Sequence, residues 1–291
     1  MSHDFPPTPF NTAPPAPIHA WPDGKRSALF IGFDVDGETA WIGNTPENAD
    51  RLVTVSHGGY DGRVGIGKIV ELLDQLDLKA TFFIPGWTAL AHQGPCETIL
   101  KAGHEIGHHG YLHRRPERGR FDRAKEEIDR GFDALHRALG VRPIGYRAPS
   151  GENFPELLTY LADCGFRYSS SFRDDVRPYR HRLASGRPGP VEIPVNFAFD
   201  DWNFGMSCRE DPRPLFGRDA VLSLWIDEFE ATHEWGGVTT MVLHPQVSGR
   251  PMRWRLLRDF LLHVQAKGDV WIATGEDIAM HYEACERGGV T

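Results

Sequence analysis

Cysteine is scarce in this chain: four in 291 residues, at positions 96, 164, 208 and 285, with no Cys-x-x-Cys pair. Disulfide scaffolds are short and cysteine-dense, so free thiols in a reducing compartment are expected instead. No apolar run approaches the ~20 residues that a membrane helix needs. Residues 1–26 are rich in proline and hold no apolar stretch, so they read as neither signal peptide nor anchor. The expectation is a cytoplasmic protein with no membrane partner. Basic charge is also in short supply. With 32 Lys and Arg against 40 Asp and Glu, the formal charge is −8, and no basic stripe offers a nucleic-acid footprint. The one basic stretch, 114–120, is interrupted by Pro116, Glu117 and Gly119 and reads as a solvated loop.

What is present points to one large α/β domain. Hydrophobic residues make up 40% of the chain and aromatics 11%, enough for a sizeable core. Short apolar runs at 27–33, 80–84, 143–146, 168–171, 191–195, 238–243 and 270–273 read as buried strands. Between them, 64–76, 97–102, 120–139, 157–164, 219–235, 254–265 and 277–285 carry apolar residues at helical spacing. Such alternation predicts a mostly parallel sheet, closed or nearly closed as a barrel. Residues 1–26 are expected to form an extended arm that wraps its own barrel or a neighbouring subunit, so a homo-oligomer is compatible. Residues 27–291 form a single catalytic domain. Residues 38–64 read as a long irregular segment, with turn signals at Gly43-Asn44, Gly58-Gly59 and Asp61-Gly62.

The polar motifs follow the strands, and in a parallel barrel the strand C-termini share one face. Asp34 and Asp36 flank Val35 after the first strand. The run 103–113 places four histidines within ten positions, at 104, 108, 109 and 113. Asp36, His109 and His113 supply one carboxylate and two imidazoles, a set suited to a catalytic divalent metal: Zn²⁺, or another first-row ion. Asp34 is then the general base, while His104 and His108 are expected to be structural. Arg147, before Pro149, is placed to hold the Asp34 carboxylate. The amide of Ser150 is a candidate oxyanion donor. His244, after an apolar strand, is the candidate general acid. Asp201 pairs with its ring, Asp200 is able to exchange roles with Asp201, and Trp202 forms an apolar wall.

Together these residues resemble the polysaccharide deacetylase family, the group with the NodB-homology domain (carbohydrate esterase family 4). Five motifs lie in family order between residues 27 and 245, and Ala80-Thr-Phe-Phe-Ile-Pro-Gly86 resembles a family core strand. The resemblance implies a distorted (β/α)7 barrel. It assigns metal ligation to Asp36, His109 and His113, the base to Asp34 with Arg147 orienting it, and the acid to His244 paired with Asp201, with Trp202 on the groove. The departures are Val35 between the two aspartates, Gly110 after His109, Ser150 in the third motif and Ala198 in the fourth. They are similar to a subgroup of intracellular-type peptidoglycan deacetylases, allantoinases of this fold and cyclic imide hydrolases.

The sequence thus predicts a hydrolase of non-peptide amide bonds. Residues 38–64, with Trp41, His57 and Tyr60, are expected to cover the metal and turn a groove into a pocket. A small N-acyl amine, cyclic imide or ureide would then be the substrate. A glycan, in a polysaccharide or peptidoglycan N-deacetylase, is the alternative. The rival from another class is a non-catalytic carbohydrate-binding or metal-sensing barrel, which would not need a competent residue at each strand end.

Overall fold

The computed structural model, which describes residues 20–209 and 212–288, contains nine strands among them, most of them formed by the apolar runs. They are β1 (Ser27–Asp34), β2 (Thr81–Ile84), β3 (Glu105–His108), β4 (Gly145–Tyr146), β5 (Tyr168–Ser169), β6 (Tyr179–Arg182), β7 (Pro188–Glu192), β8 (Val238–Leu243) and β9 (Val270–Ala273). Eight run in the order β6-β7-β5-β4-β3-β2-β1-β8. Every pairing is parallel except β6 with β7.

β1 is the central staff, buried at all eight positions. One edge pairs with β8 from Ala28 to Phe33. The other is shared: β9 takes Ser27 to Phe30, and β2 takes Gly32 to Asp34. Two strands on successive halves of one edge force the sheet to curl. Between β7 and β8 the closure is a single bridge, Asp200 to Val242. The result is a curled, parallel-dominated half-barrel, the distorted form that the family resemblance implied. Asp34, His108, Tyr146, Ser169 and Leu243 end their strands on the same face. Helices pack outside, the longest being Phe121–Leu139, which buries Ile128, Phe132, Leu135 and Leu139 and ends at Gly140 with φ 70°. No described helix is long and apolar enough to cross a membrane.

One expectation needs correction, one strand was not anticipated, and one expectation falls largely outside the described residues. Residues 38–64 are not irregular. They contain the helix Leu52–Tyr60, which passes through a π-helical turn, Asp61–Gly65, into the helix Ile66–Gln75. The glycines that read as turns are where this helix meets other backbone. A Cβ on Gly58 would lie 2.2 Å from the Gly37 carbonyl oxygen, and one on Gly65 would lie 2.6 Å from that of Pro245. Second, the antiparallel strand β6 was not anticipated, because its residues Tyr-Arg-His-Arg carry no apolar run. Third, the expected arm lies outside the described residues as far as position 19, but 20–26 belong to the body. Trp21 is buried, donates its indole N–H to the Gly236 carbonyl at 2.8 Å and packs on Trp271 and His281.

Candidate active site

The end of β1 and the loop after β3 bring three potential ligands together. Asp36, His109 and His113 are buried, and their ligand atoms lie within 4.8 Å of one another. Asp36 Oδ1 sits 3.4 Å from His109 Nε2 and 3.6 Å from His113 Nε2. Tetrahedral ligation at ~2.1 Å separates ligand atoms by ~3.4 Å, so these spacings suit a first-row ion. His109 Nδ1 lies 2.7 Å from the Arg147 carbonyl oxygen. A carbonyl only accepts, so Nδ1 carries the proton and Nε2 presents its lone pair to the cluster. Neither Asp36 Oδ1 nor His109 Nε2 has a hydrogen-bond partner, although both are buried. Buried polar atoms are rarely left orphaned, and a cation would satisfy both. The donor set therefore fits a divalent metal.

A second group, Asp200, Asp201 and His244, is equally compact, but its lone pairs are spent. Asp201 accepts from the His244 ring at Nδ1 (2.7 Å), the His244 backbone N–H (3.0 Å) and the Ser248 hydroxyl. That group is a hydrogen-bonded base for one imidazole.

Burial alone would favour neutral His244. The Asp201 hydrogen bond and the fields of Asp201, Asp36 and Asp34 outweigh burial and lift its pKa to about 10. The Asp201 share belongs to the pair itself, whereas the Asp36 share is divided with whatever cation that carboxylate holds. Burial opposes ionisation of Asp36, but His113, His109 and His244 hold it well below the usual carboxylate range. At His113 burial dominates and lowers the pKa to about 4, which keeps the imidazole neutral and able to ligate. Burial also pushes Asp200 up to about 6. Asp200 accepts from the Trp202 N–H at 3.1 Å and stays on the cavity wall, so it does not exchange roles with Asp201.

Asp34 is gripped from the other side. Arg147 Nη1 donates to Asp34 Oδ1 at 2.8 Å, while Nε and Nη2 donate to the Ser170 carbonyl and hydroxyl at 3.0 Å each. The guanidinium is 3% exposed and lies over the Phe83 ring at 4.3 Å. That leaves Asp34 Oδ2 as the oxygen that faces His109 Nε2, at 3.7 Å.

The His loop has a support that the sequence pattern did not reveal. Glu127, buried on the helix Phe121–Leu139, accepts the Tyr111 and Leu112 N–H groups at 3.0 and 2.7 Å. These amides precede His113, whose φ of 55° is strained for a non-glycine residue. The one available signal was a carboxylate one position before Ile128 on an otherwise apolar face. His108 ends β3 and braces the same loop. Its Nε2 donates to the Ile128 carbonyl at 3.0 Å, and its Nδ1 accepts the Gly110 N–H at 3.1 Å. His104 is buried and accepts the Ala80 N–H at 3.4 Å. Both are structural, as expected.

A cavity of about 380 Å³ opens over these groups, lined by Asp34, Asp36, His113, Arg147 and His244 on one side. Ser150, with φ 56°, and Trp202, edge-on to His244, also line it. Trp41, His57 and Tyr60 do not, contrary to expectation. Trp41 is buried behind Trp202, with ring centroids 5.7 Å apart and its N–H on Gln246. His57 packs against Trp41 with ring centroids 5.1 Å apart, and Tyr60 donates to the Gly249 carbonyl. The helices Thr39–Ile42, which carries Trp41, and Leu52–Tyr60, which carries His57 and Tyr60, draw these side chains into packing instead of across the opening. Ala40 is the residue of that segment that reaches the cavity.

Comparison with known proteins gives one consistent picture. The polysaccharide deacetylase family model matches residues 59–169. A Mycobacterium smegmatis protein assigned to the polysaccharide deacetylases has a crystal structure that superposes with a TM-score of 0.90. The two are 38% identical, covering 94% of this chain and 96% of that one. A peptidoglycan deacetylase of Helicobacter pylori is 27% identical over 279 residues, 87% of this chain and 95% of its own. The crystal structure of the PuuE allantoinase shares the fold, with a TM-score of 0.82 at 23% identity, over 97% and 98% of the two chains.

Proposed function

The chain belongs to the polysaccharide deacetylase family, and from that membership and the geometry of its site we propose that it is a metal-dependent hydrolase of non-peptide amide C–N bonds. The observation that carries this reading is the placement of the ligand triad between two oriented proton-transfer groups: Asp34 held by Arg147, and His244 held by Asp201. A divalent cation on Asp36, His109 and His113 would supply Lewis-acid polarisation of a carbonyl and acidification of a water.

The chain's own residues handle the protons. Asp34 keeps Oδ1 on Arg147 and has Oδ2 to accept the proton of a water that adds to the carbonyl carbon. His244 keeps Nδ1–H on Asp201 and turns Nε2 toward Asp36 Oδ2, 3.8 Å away. Nε2–H is placed to protonate the departing nitrogen as the C–N bond breaks, releasing a carboxylic acid and an amine. Trp202 walls off the acid, and burial of all four groups strengthens each interaction.

A cavity of about 380 Å³ favours a small N-acyl amine, cyclic imide or ureide. A second reading, peptidoglycan or polysaccharide N-deacetylation, is supported by the name of the Helicobacter pylori relative. A panel of chito-oligosaccharides, succinimide-like rings and hydantoin-like ureides, assayed with zinc and with chelator, tests both. Chelator-sensitive turnover of a small imide, ureide or N-acyl amine supports the first reading. Turnover of the oligosaccharides alone supports the second. Turnover that persists after complete removal of metal refutes the mechanism.

A further inference from the structure

The cavity is lined by guanidinium groups outside the metal site, although the chain carries a formal charge of −8. Arg173 and Arg213 both line it, together with Gly151, Asn196 and Phe197. Arg173 is held in place without an acid. Its Nη1 donates to the Gly151 and Ser171 carbonyls at 3.1 and 3.3 Å, and its guanidinium lies over the Phe197 ring at 4.6 Å. No carboxylate of a described residue forms an ion pair with it, whereas Arg147 in the same cavity is paired with Asp34.

Two further features look built around this guanidinium. Gly151 adopts φ 66°, and a Cβ there would lie 2.3 Å from Arg173 Nη2, so glycine is what lets the side chain lie along the wall. Phe197 is 62% exposed, an unusual cost for a phenylalanine, and one face of its ring carries the cation. Arg213 is anchored on the same cavity by donating to Asn203 Oδ1 at 3.0 Å. A guanidinium fixed by backbone carbonyls on a cavity wall suits a planar anion.

We infer that Arg173 forms a specificity subsite for a carboxylate, so the substrate is an N-acyl or ureido compound that carries a second, anionic end. This rests on the hydrolase reading above and deepens it. Arg173 takes no part in bond cleavage; it selects and orients.

The test uses N-acetyl ω-amino acids of increasing chain length, each compared with its primary amide. Binding is measured calorimetrically to metal-stripped full-length protein, so that no carboxylate is captured by a metal. At least one acid should bind about ten-fold more tightly than its amide, and Arg173→Met should abolish that preference by weakening the acid far more than the amide. Arg173 is exposed, so the variant folds, which near-UV circular dichroism checks. If no acid outbinds its amide, or if the preference survives in Arg173→Met, the subsite is refuted. Turnover by the zinc-loaded enzyme separates the two ideas. An Arg173-dependent preference without turnover of these acids, or of any imide, ureide or oligosaccharide in the panel above, leaves the subsite and sinks the hydrolase reading. Turnover without preference does the reverse.

Discussion

Gly32 and Arg147 share one volume inside the barrel. A Cβ on Gly32 would lie 2.7 Å from both terminal guanidinium nitrogens of Arg147. Glycine in a central strand costs stability, so its presence in β1 is explained by the room it gives the cation that orients Asp34. Gly32→Ala should displace that guanidinium. Overpacking of this kind costs about 1–3 kcal/mol of stability. A 10- to 100-fold fall in kcat is expected, about 1.4–2.7 kcal/mol of barrier, with metal content unchanged. Steady-state kinetics with metal analysis checks the split. Loss of metal together with activity would place the damage elsewhere.

Glu127 holds the backbone that carries His113. Glu127→Gln retains the volume but weakens acceptance from two amides at once. Groups that orient metal ligands typically change affinity about 10- to 100-fold when replaced. Competition against a chromogenic chelator should show a loss of that size. Unchanged affinity would mean that the loop holds its strained φ without help.

The Asp201–His244 pair predicts a pH signature. A general acid works while protonated, so activity is present below its pKa and is lost as pH rises through it. Asp201 helps to lift that pKa to about 10. Asp201→Asn removes the negative charge and should move the alkaline limb of kcat to lower pH. An orienting carboxylate of this kind also carries a large share of the rate, and a kcat loss of about 10²–10⁴ is expected. An alkaline limb that stays in place would remove His244 from the acid role.

The fold and most of the site were legible because strand ends carry chemistry. Asp34, Asp36, Arg147 and His244 follow or end runs of apolar residues, His109 and His113 follow the short strand β3, and parallel topology brings such ends together. What stayed hidden was set by packing. Glu127 looks like one charge among many on an amphipathic helix until its two amide partners are seen. Gly32 looks like a weak spot in a strand until Arg147 fills the space. Gly58, Gly62 and Gly65 mimic a loop, yet they let a helix lie against backbone or, at Gly62, against the His92 ring. The aromatic residues of that segment were therefore expected over the cavity and are found behind it.

Away from the site, His104 should make stability sensitive to acid. Burial, and then the nearby Lys79 charge, lower its pKa from 6.5 to about 4 in the folded chain. Between those values the unfolded chain holds the extra proton, so stability falls as pH drops from 6.5 to 4 and is fully present above 6.5. The contribution is at most about 3 kcal/mol. Urea titrations of wild type and His104→Gln should show the variant losing less stability across that window. Equal losses would assign the acid sensitivity to other groups.

The central claim is that Asp36, His109 and His113 hold one catalytic ion, and metal stoichiometry in two variants tests it most directly. Zinc content of dialysed wild type, His244→Ala and His113→Ala, measured by atomic spectroscopy alongside turnover, should read about one, one and near zero ions per chain. His244→Ala should lose turnover with its metal in place. One full equivalent of zinc retained by His113→Ala would contradict the account.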